Sequence, residues 1–219
     1  MTCRGEGAAG WWTRWVNHSL ARPLVRLAVR KDVSPGLISV VKALVGVLAS
    51  GGATFLLVVN PLAAAAVGFF GWQLAHTLDR VDGQVARETG KSSPTGGVLD
   101  LLCDFLVRVS IMVCGITAAF GATGVGLHGP VAVLLTGGWL ISPYYRGIFA
   151  AFSGGAFEER TSFLGLCARL FRDYGLHIAL LAGALVLGPR TVFAVLGVVA
   201  ALNYAFLAEG IVEMGDSAE

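Results

Sequence analysis

The chain has 219 residues, a formal net charge of +2, and 14% charged side chains against 55% hydrophobic ones. Soluble domains carry roughly 25% charged residues, so this composition excludes an ordinary soluble globular protein. It predicts an all-α integral membrane protein, with one compact helical domain in a lipid bilayer. The small net charge gives no reason to expect a nucleic-acid partner.

The first predicted element is an amphipathic helix within residues 1–34, which form an N-terminal cytoplasmic segment. Its basic stripe consists of residues spaced by four: Arg14, His18, Arg22, Arg26 and Arg30. Aromatic residues lie beside this stripe, at Trp11, Trp12 and Trp15. The pattern is typical of a helix that lies on anionic lipid headgroups, bent or broken at Pro23. A simple topological anchor explains it equally well.

Six apolar segments follow, and a helix needs roughly 20 apolar residues to cross the bilayer core. They are residues 35–59, 61–79, 98–120, 129–152, 174–188 and 190–208. They predict six transmembrane helices in a domain spanning residues 35–210, followed by a cytoplasmic tail at 211–219. Small residues recur within these spans, which predicts close helix packing within one bundle and also permits a homodimer.

The basic residues predict how the spans are oriented. Most of them lie before the first span, after the second, or between the fourth and the fifth, whereas Arg190 lies on the opposite side. By the positive-inside rule, both termini and the loop after the second span face the cytoplasm. The sequence therefore predicts a multi-pass protein of the cell (inner or plasma) membrane.

Four aspartates concentrate in the segment DRVDGQVARETGKSSPTGGVLDLLCDF, between the second and third spans. Asp79 and Asp82 are three positions apart, and Asp100 and Asp104 are four apart, so each pair lies on one face of a helix. A short turn rich in Gly, Ser and Pro joins the two helices. The sequence therefore predicts that four carboxylates converge near the cytoplasmic interface.

Converging carboxylates at this depth are costly unless a cation compensates them. Oxygen ligands favour a hard divalent cation, Mg²⁺ or Mn²⁺, and four carboxylates are enough for two ions. Two ions ~3.5–4 Å apart are the usual arrangement for displacement at phosphorus. Arg87, one turn after Gly83, would then face phosphate oxygens. The alternative is a solvated loop of ion pairs, but Asp100 and Asp104 have apolar neighbours.

The complete pattern, D-x2-D-G-x2-A-R-x8-G-x3-D-x3-D, resembles the signature of the CDP-alcohol phosphatidyltransferases. Its positions here are Asp79, Asp82, Gly83, Ala86, Arg87, Gly96, Asp100 and Asp104. The resemblance implies an enzyme of phospholipid biosynthesis. It would transfer a phosphatidyl group from a CDP-alcohol, usually CDP-diacylglycerol, to a small alcohol, by attack of the hydroxyl on the β-phosphorus and release of CMP.

The resemblance also implies a role for each matched residue. Asp79, Asp82 and Asp100 would be metal ligands, and Asp104 would ligate the second ion or act as the general base. The residues bordering the cytidine and its phosphates would be Asp82, Gly83, Ala86, Arg87 and Gly96. Many family members carry a basic residue directly after the last aspartate, where this chain has Phe105. Arg108, one turn further on, is the candidate to supply that charge.

Basic residues elsewhere are candidates to bind the acceptor alcohol, because a cation within a membrane span is functional by default. Lys42 lies in the first predicted span and Arg146 in the fourth, while Arg169 and Arg172 precede the fifth. If they converge near the aspartates, they would suit a phosphorylated acceptor such as inositol phosphate or glycerol phosphate. Arg169 and Arg172 are equally explained as topological surface charges.

Two other functions fit part of the pattern. An intramembrane aspartate-rich prenyltransferase is one, because DLLCD alone matches its D-x3-D motif, but the G-x2-A-R element would be unexplained. A non-catalytic divalent-metal transporter is the other, because carboxylates at membrane depth can hold an ion in transit. The acids crowd one end of the spans with none matching on the far side, which disfavours a transport path.

Overall fold

The structure is a computed structural model that describes residues 11–127, 129–141 and 173–216. Within these ranges the regular secondary structure is helical. In this part of the chain, a π-helical turn at Thr13–Asn17 is followed by seven α-helices: α1 His18–Arg30, α2 Pro35–Leu56, α3 Pro61–Glu88, α4 Pro94–Leu127, α5 Gly129–Ile141, α6 Tyr174–Leu187 and α7 Pro189–Asp216. The all-α prediction is therefore confirmed for the described part of the chain.

The helices begin where local sequence signals favour a helix start. Pro35 and Pro61 open α2 and α3, since proline lacks the N–H that the first turn leaves unpaired. The residue before each proline caps the helix. The Ser34 hydroxyl accepts a hydrogen bond from the Leu37 N–H at 3.3 Å, and Asn60 Oδ1 accepts one from the Ala63 N–H at 3.1 Å.

Among the described residues, three helical stretches are long and apolar enough to cross a membrane: Pro35–Leu56, Pro94–Gly121 and Pro189–Ala208. Gly129–Ile141 and Tyr174–Leu187 are apolar but shorter. Helix α3 is long enough, but Gln73 and His76 interrupt its apolar stretch. A membrane protein is thus supported, and the count of six spans stays a prediction. Residues 142–152 of the predicted fourth span lie outside the described residues.

Two predicted boundaries differ from the helices observed, and a third agrees. The second predicted span ends at residue 79, but α3 continues to Glu88, so both aspartates of the first pair lie within the helix rather than in a loop. The third predicted span ends at residue 120, which agrees with α4, because its helical geometry is lost at Gly121, where φ is 70°. Helix α7 continues to Asp216, into the segment predicted as a tail.

Helix α2 packs against both α3 and α4, while α6 and α7 close the other side of the bundle. The main core lies between them, and its largest buried side chains include Trp72, Ile111, Met112, Ile178, Leu181 and Leu196. Glycine allows the closest approaches. A Cβ at Gly46 would lie 2.7 Å from the Val107 methyl groups, and one at Gly71 would overlap the Ala49 side chain. The predicted close packing of small residues is present at these contacts.

The N-terminal helix packs on the protein with one face. Small apolar residues of α1, namely Ala21, Val25 and Ala28, cover Val81 and Val85 at the end of α3. The arginines of the predicted stripe, Arg14, Arg22, Arg26 and Arg30, are exposed. Helix α1 continues through Pro23, so the break considered there does not occur. Its position on a lipid surface stays a prediction.

Candidate active site

The two aspartate pairs lie on helices α3 and α4, as their spacing predicts. The reversal between these helices uses Gly90, whose φ of 66° is a left-handed conformation that glycine adopts at little cost. Pro94 then opens α4, and the Ser93 hydroxyl accepts a hydrogen bond from the Gly96 N–H at 3.0 Å. The turn therefore brings the end of α3 and the start of α4 side by side.

Three of the four carboxylates meet. Asp79, Asp82 and Asp100 can each offer a carboxylate oxygen such that all three oxygens lie within 4.8 Å of one another. Asp82 is buried, and the other two are half-buried. Three carboxylates around one point fit Mg²⁺ or Mn²⁺, which prefer hard oxygen ligands. We call Asp79, Asp82 and Asp100 the carboxylate cluster.

Lys42 reaches the carboxylate cluster from α2. Its ammonium Nζ lies 2.7 Å from Asp79 Oδ1, 2.5 Å from Asp100 Oδ1 and 3.7 Å from Asp82 Oδ2. Ser39, three residues earlier on α2, donates its hydroxyl to Asp82 Oδ2 at 3.0 Å. Helix α2 therefore supplies two donors to the cluster. The sequence suggested Lys42 only as an acceptor-binding residue, and the structure places it among the predicted metal ligands.

Asp104 lies apart from the carboxylate cluster and has a different partner. Arg108 Nε donates to Asp104 Oδ2 at 2.7 Å. The Arg108 guanidinium lies 3.9 Å above the centre of the Tyr174 ring, in a cation–π contact from α6. Arg108 does supply the charge that Phe105 cannot, one helical turn later. Of the described aspartates in the signature, Asp104 is the one with an arginine partner.

A cavity of about 190 Å³ opens beside the carboxylate cluster. Its lining includes the four predicted nucleotide-binding positions outside the cluster, Gly83, Ala86, Arg87 and Gly96, together with Asp82 and Asp100. A Cβ at Gly83 would lie 3.3 Å from Arg87 Nη1, so the glycine leaves room for the guanidinium to fold over the helix. The cavity is therefore bounded by carboxylates at one side and by a cation at another.

The sequence reasoning missed the contribution of α2 to this cavity. Pro35, Gly36 and Ser39 line it, and Lys42 follows Ser39 by about one helical turn. A sequence signal did exist, because Ser39 and Lys42 are three positions apart and share a helix face. Nothing in that spacing indicates which other helix the face meets.

Three predicted acceptor-binding residues, Arg146, Arg169 and Arg172, lie outside the described residues. Gln73 and His76 on α3 contact the N-terminal turn. Gln73 Oε1 accepts a hydrogen bond from Asn17 Nδ2 at 3.0 Å, and His76 Nε2 lies 3.2 Å from Thr13 Oγ1. These two side chains therefore join α3 to the segment before α1.

Comparison with known proteins agrees with this geometry. The family model of the CDP-alcohol phosphatidyltransferases matches residues 33–189, which is most of the chain. No curated protein sequence matches. The chain belongs to the CDP-alcohol phosphatidyltransferase family, and it is an enzyme that acts at a membrane.

Two similar solved structures are of phosphatidylinositol phosphate synthase (PgsA1) from Mycobacterium tuberculosis. The structure with CDP-DAG bound has a TM-score of 0.60 and 17% sequence identity, over 90% of this chain and 94% of the other. The structure in complex with manganese and citrate has a TM-score of 0.59 and 17% identity, over 89% and 88%. At this identity the likeness shows a shared fold.

Proposed function

We propose that the protein transfers a phosphatidyl group from CDP-diacylglycerol to a small alcohol and releases CMP. The observation that carries this proposal is the convergence of Asp79, Asp82 and Asp100 beside a cavity lined by Gly83 and Arg87. The similar fold of a synthase solved with CDP-DAG bound supports the choice of donor. The family match covers the G-x2-A-R element, which neither a prenyltransferase nor a transporter explains.

In this proposal the carboxylates of Asp79, Asp82 and Asp100 hold Mg²⁺ or Mn²⁺, with Asp104 as a ligand of a second ion or as the base. Divalent cations so bound would neutralise charge on the diphosphate and on the departing CMP. A similar fold solved with manganese supports this assignment. The ligand set supports the assignment independently, because its carboxylate oxygens lie close enough to one another to bind one cation.

The remaining residues would bind and orient the donor. The Arg87 guanidinium, at the edge of the cavity, would pair with phosphate oxygens. The small residues Gly83, Ala86 and Gly96 leave space against the helix backbones for the nucleotide. The acceptor hydroxyl would attack the β-phosphorus, the bond from that phosphorus to the CMP oxygen would break, and the hydroxyl proton would pass to a carboxylate such as Asp104.

We propose further that the acceptor is a phosphorylated alcohol. A similar fold belongs to a phosphatidylinositol phosphate synthase, which supports this class of product. The predicted acceptor residues Arg146, Arg169 and Arg172 would supply cations for the acceptor phosphate. The cytoplasmic orientation of the site and a homodimeric assembly belong to the same proposal.

The test is release of CMP by purified protein in lipid nanodiscs that contain CDP-diacylglycerol. Each acceptor is supplied in two forms: inositol phosphate against inositol, and glycerol phosphate against glycerol. We expect CMP release with Mn²⁺ or Mg²⁺ and one phosphorylated acceptor, and its loss on addition of a chelator. Release with the unphosphorylated form alone would contradict the acceptor class. Absence of CMP release with every alcohol acceptor would overturn the proposed function.

A further inference from the structure

Lys42 is a buried cation, unlike the lysines of ordinary surface salt bridges. Its side chain is 1% exposed, and it lies in the apolar helix α2. Its ammonium contacts carboxylates on two other helices, Asp79 on α3 and Asp100 on α4. A buried ammonium without a carboxylate partner is strongly unfavourable. The carboxylate cluster and Lys42 therefore stabilise each other's charges.

The ammonium approaches the carboxylate cluster from its buried side. The side chains of Asp79 and Asp100 are 30% and 45% exposed, so their open side faces away from Lys42. Asp82 and Asp100 line the cavity, whereas Lys42 does not belong to its lining. The cluster therefore has a cation built into the protein on one face and open space on the other.

The charges have a consequence for divalent cations. Three ionised carboxylates and one ammonium leave a net charge of −2, which one divalent cation neutralises. The ammonium holds the three carboxylates together against their mutual repulsion when no such cation is bound. It also repels a divalent cation that binds the same oxygens, since like charges at contact distance interact strongly in a site of low dielectric.

We propose that Lys42 is a positioning residue with two effects on the metal site of the proposed function, on which this inference rests. Lys42 keeps the carboxylates of α3 and α4 assembled in the metal-free protein, and it weakens the binding of divalent cations by competing for the same oxygens. A divalent cation that binds the cluster displaces the ammonium from at least one carboxylate. The metal site is thereby preformed, but it releases its cation more readily than the same site would without the charge of Lys42.

The test compares wild-type protein with Lys42→Met, which keeps the length of the side chain and removes its charge. Mn²⁺ alone is the probe, and its affinity is measured by electron paramagnetic resonance of the free ion in detergent solution. We expect Lys42→Met to bind Mn²⁺ at least about tenfold more tightly. In chelator we expect its melting temperature to fall below that of the wild type, and added Mn²⁺ to raise it by more degrees than it raises the wild type.

Two further variants separate charge from shape. Lys42→Arg keeps the positive charge, and we expect its Mn²⁺ affinity to stay within about threefold of the wild type. Ser39→Ala removes a neutral donor to Asp82 from the same face of α2, and we expect no tighter binding of Mn²⁺. If Lys42→Met does not fold in detergent, Lys42→Gln takes its place, with the same expected gain in Mn²⁺ affinity.

Equal or weaker Mn²⁺ binding by the uncharged variants would overturn the inference, and so would a gain of the same size in Lys42→Arg. These outcomes are distinct from failure of the proposed function, which is read from CMP release by the wild type. A wild type that releases no CMP but binds Mn²⁺ more weakly than Lys42→Met would still support the role of Lys42.

Discussion

Several charged side chains of this protein are buried or half-buried, in positions where a membrane protein tolerates few charges. The carboxylate cluster contains Asp79, Asp82 and Asp100, and its described cationic partner is Lys42. Asp104 has its own partner in Arg108, which in turn stacks on Tyr174. The fourth aspartate is therefore held by α4 and α6 together, while the first three are held by α2, α3 and α4.

Replacement of Asp79 by Asn removes one charge from the carboxylate cluster and keeps its size. We expect CMP release to fall by at least about 100-fold, because loss of even an outer partner of a metal site costs roughly 10–100-fold. The measurement is the initial rate of CMP release at saturating Mn²⁺. Glu88→Gln is the matched control, since Glu88 is an exposed carboxylate two turns later on α3. Full activity of Asp79→Asn would refute the metal site as described.

The helices hold this site in place through close backbone contacts. Gly71 on α3 lies against Ala49 on α2, and Asp79 on α3 meets Lys42 on α2. From the first contact to the second, the chain advances eight residues along α3 and goes back seven residues along α2, as expected for antiparallel helices. The contact at Gly71 therefore sets the distance between α2 and α3 two turns away, at the carboxylate cluster.

A methyl group at Gly71 should force these helices apart. We expect Gly71→Ala to lower the free energy of unfolding by about 1–3 kcal/mol, the usual cost of overpacking a tight contact. Thermal denaturation in detergent measures the change. Gly51→Ala is the control, because a Cβ at Gly51 meets no atom within 4 Å. Its melting temperature should stay equal or rise slightly, since alanine favours helix by about 1 kcal/mol over glycine. Equal stability of both variants would contradict the close contact.

The N-terminal turn is joined to the bundle by Asp173, the residue that caps α6. Asp173 accepts hydrogen bonds from the Thr13 N–H at 2.9 Å, the Thr13 hydroxyl at 2.5 Å and the Gly175 N–H at 3.1 Å. All three residues are buried. His76, one turn before Asp79, also contacts Thr13. The segment before α1 therefore rests on the helix that carries the first two aspartates.

Replacement of Asp173 by Ala would leave the Thr13 groups without an acceptor and α6 without its cap. We expect the free energy of unfolding to fall by about 2–4 kcal/mol, from the loss of a cap and of buried hydrogen bonds. Asp173→Asn keeps an oxygen acceptor and should lose less than half of that. Thermal denaturation of the two variants side by side is the measurement. A loss of the same size in both would show that the charge of Asp173, rather than its hydrogen bonds, stabilises the turn.

The molecule as a whole has two ends with different composition. The turn between α2 and α3 contains Val58, whose side chain is 92% exposed. The turn between α3 and α4 contains Lys91 and Ser92 and borders the cavity. Helix α3 separates the two turns by 28 residues, or about 42 Å at 1.5 Å per residue. The site thus lies at the end with the basic residues, which is the cytoplasmic end in the orientation proposed above.

This orientation predicts the labelling of single cysteines in sealed cells. In a variant without the four native cysteines, Ser92→Cys should resist an impermeant thiol reagent until the membrane is opened. Val58→Cys should react with the reagent in intact cells. Labelling is detected by mass shift on a gel, and a cysteine-free variant shows the background. The reverse pattern would contradict the proposed cytoplasmic orientation of the site.

The sequence by itself determined the helical class, the positions of the aspartate pairs and the family. Helical spacing is a local property, so Asp79 with Asp82, and Asp100 with Asp104, could be assigned to helix faces before any contact was known. The motif was matched in full, and the family model confirms that assignment over residues 33–189. The exact ends of the helices were less predictable. Helix α3 continues past residue 79 into polar sequence, whereas a predicted membrane span ends where the apolar residues end.

Only the tertiary structure decided which residues meet across helices. It separated Asp104 from the other three aspartates and paired it with Arg108, although all four share one motif. It also placed Lys42, which is 37 residues before Asp79, within 2.7 Å of that carboxylate. Contacts between distant segments depend on how closely two helices can approach, and this is set by the side-chain volumes of both helices together. The sequence of one helix alone therefore does not predict its contacts.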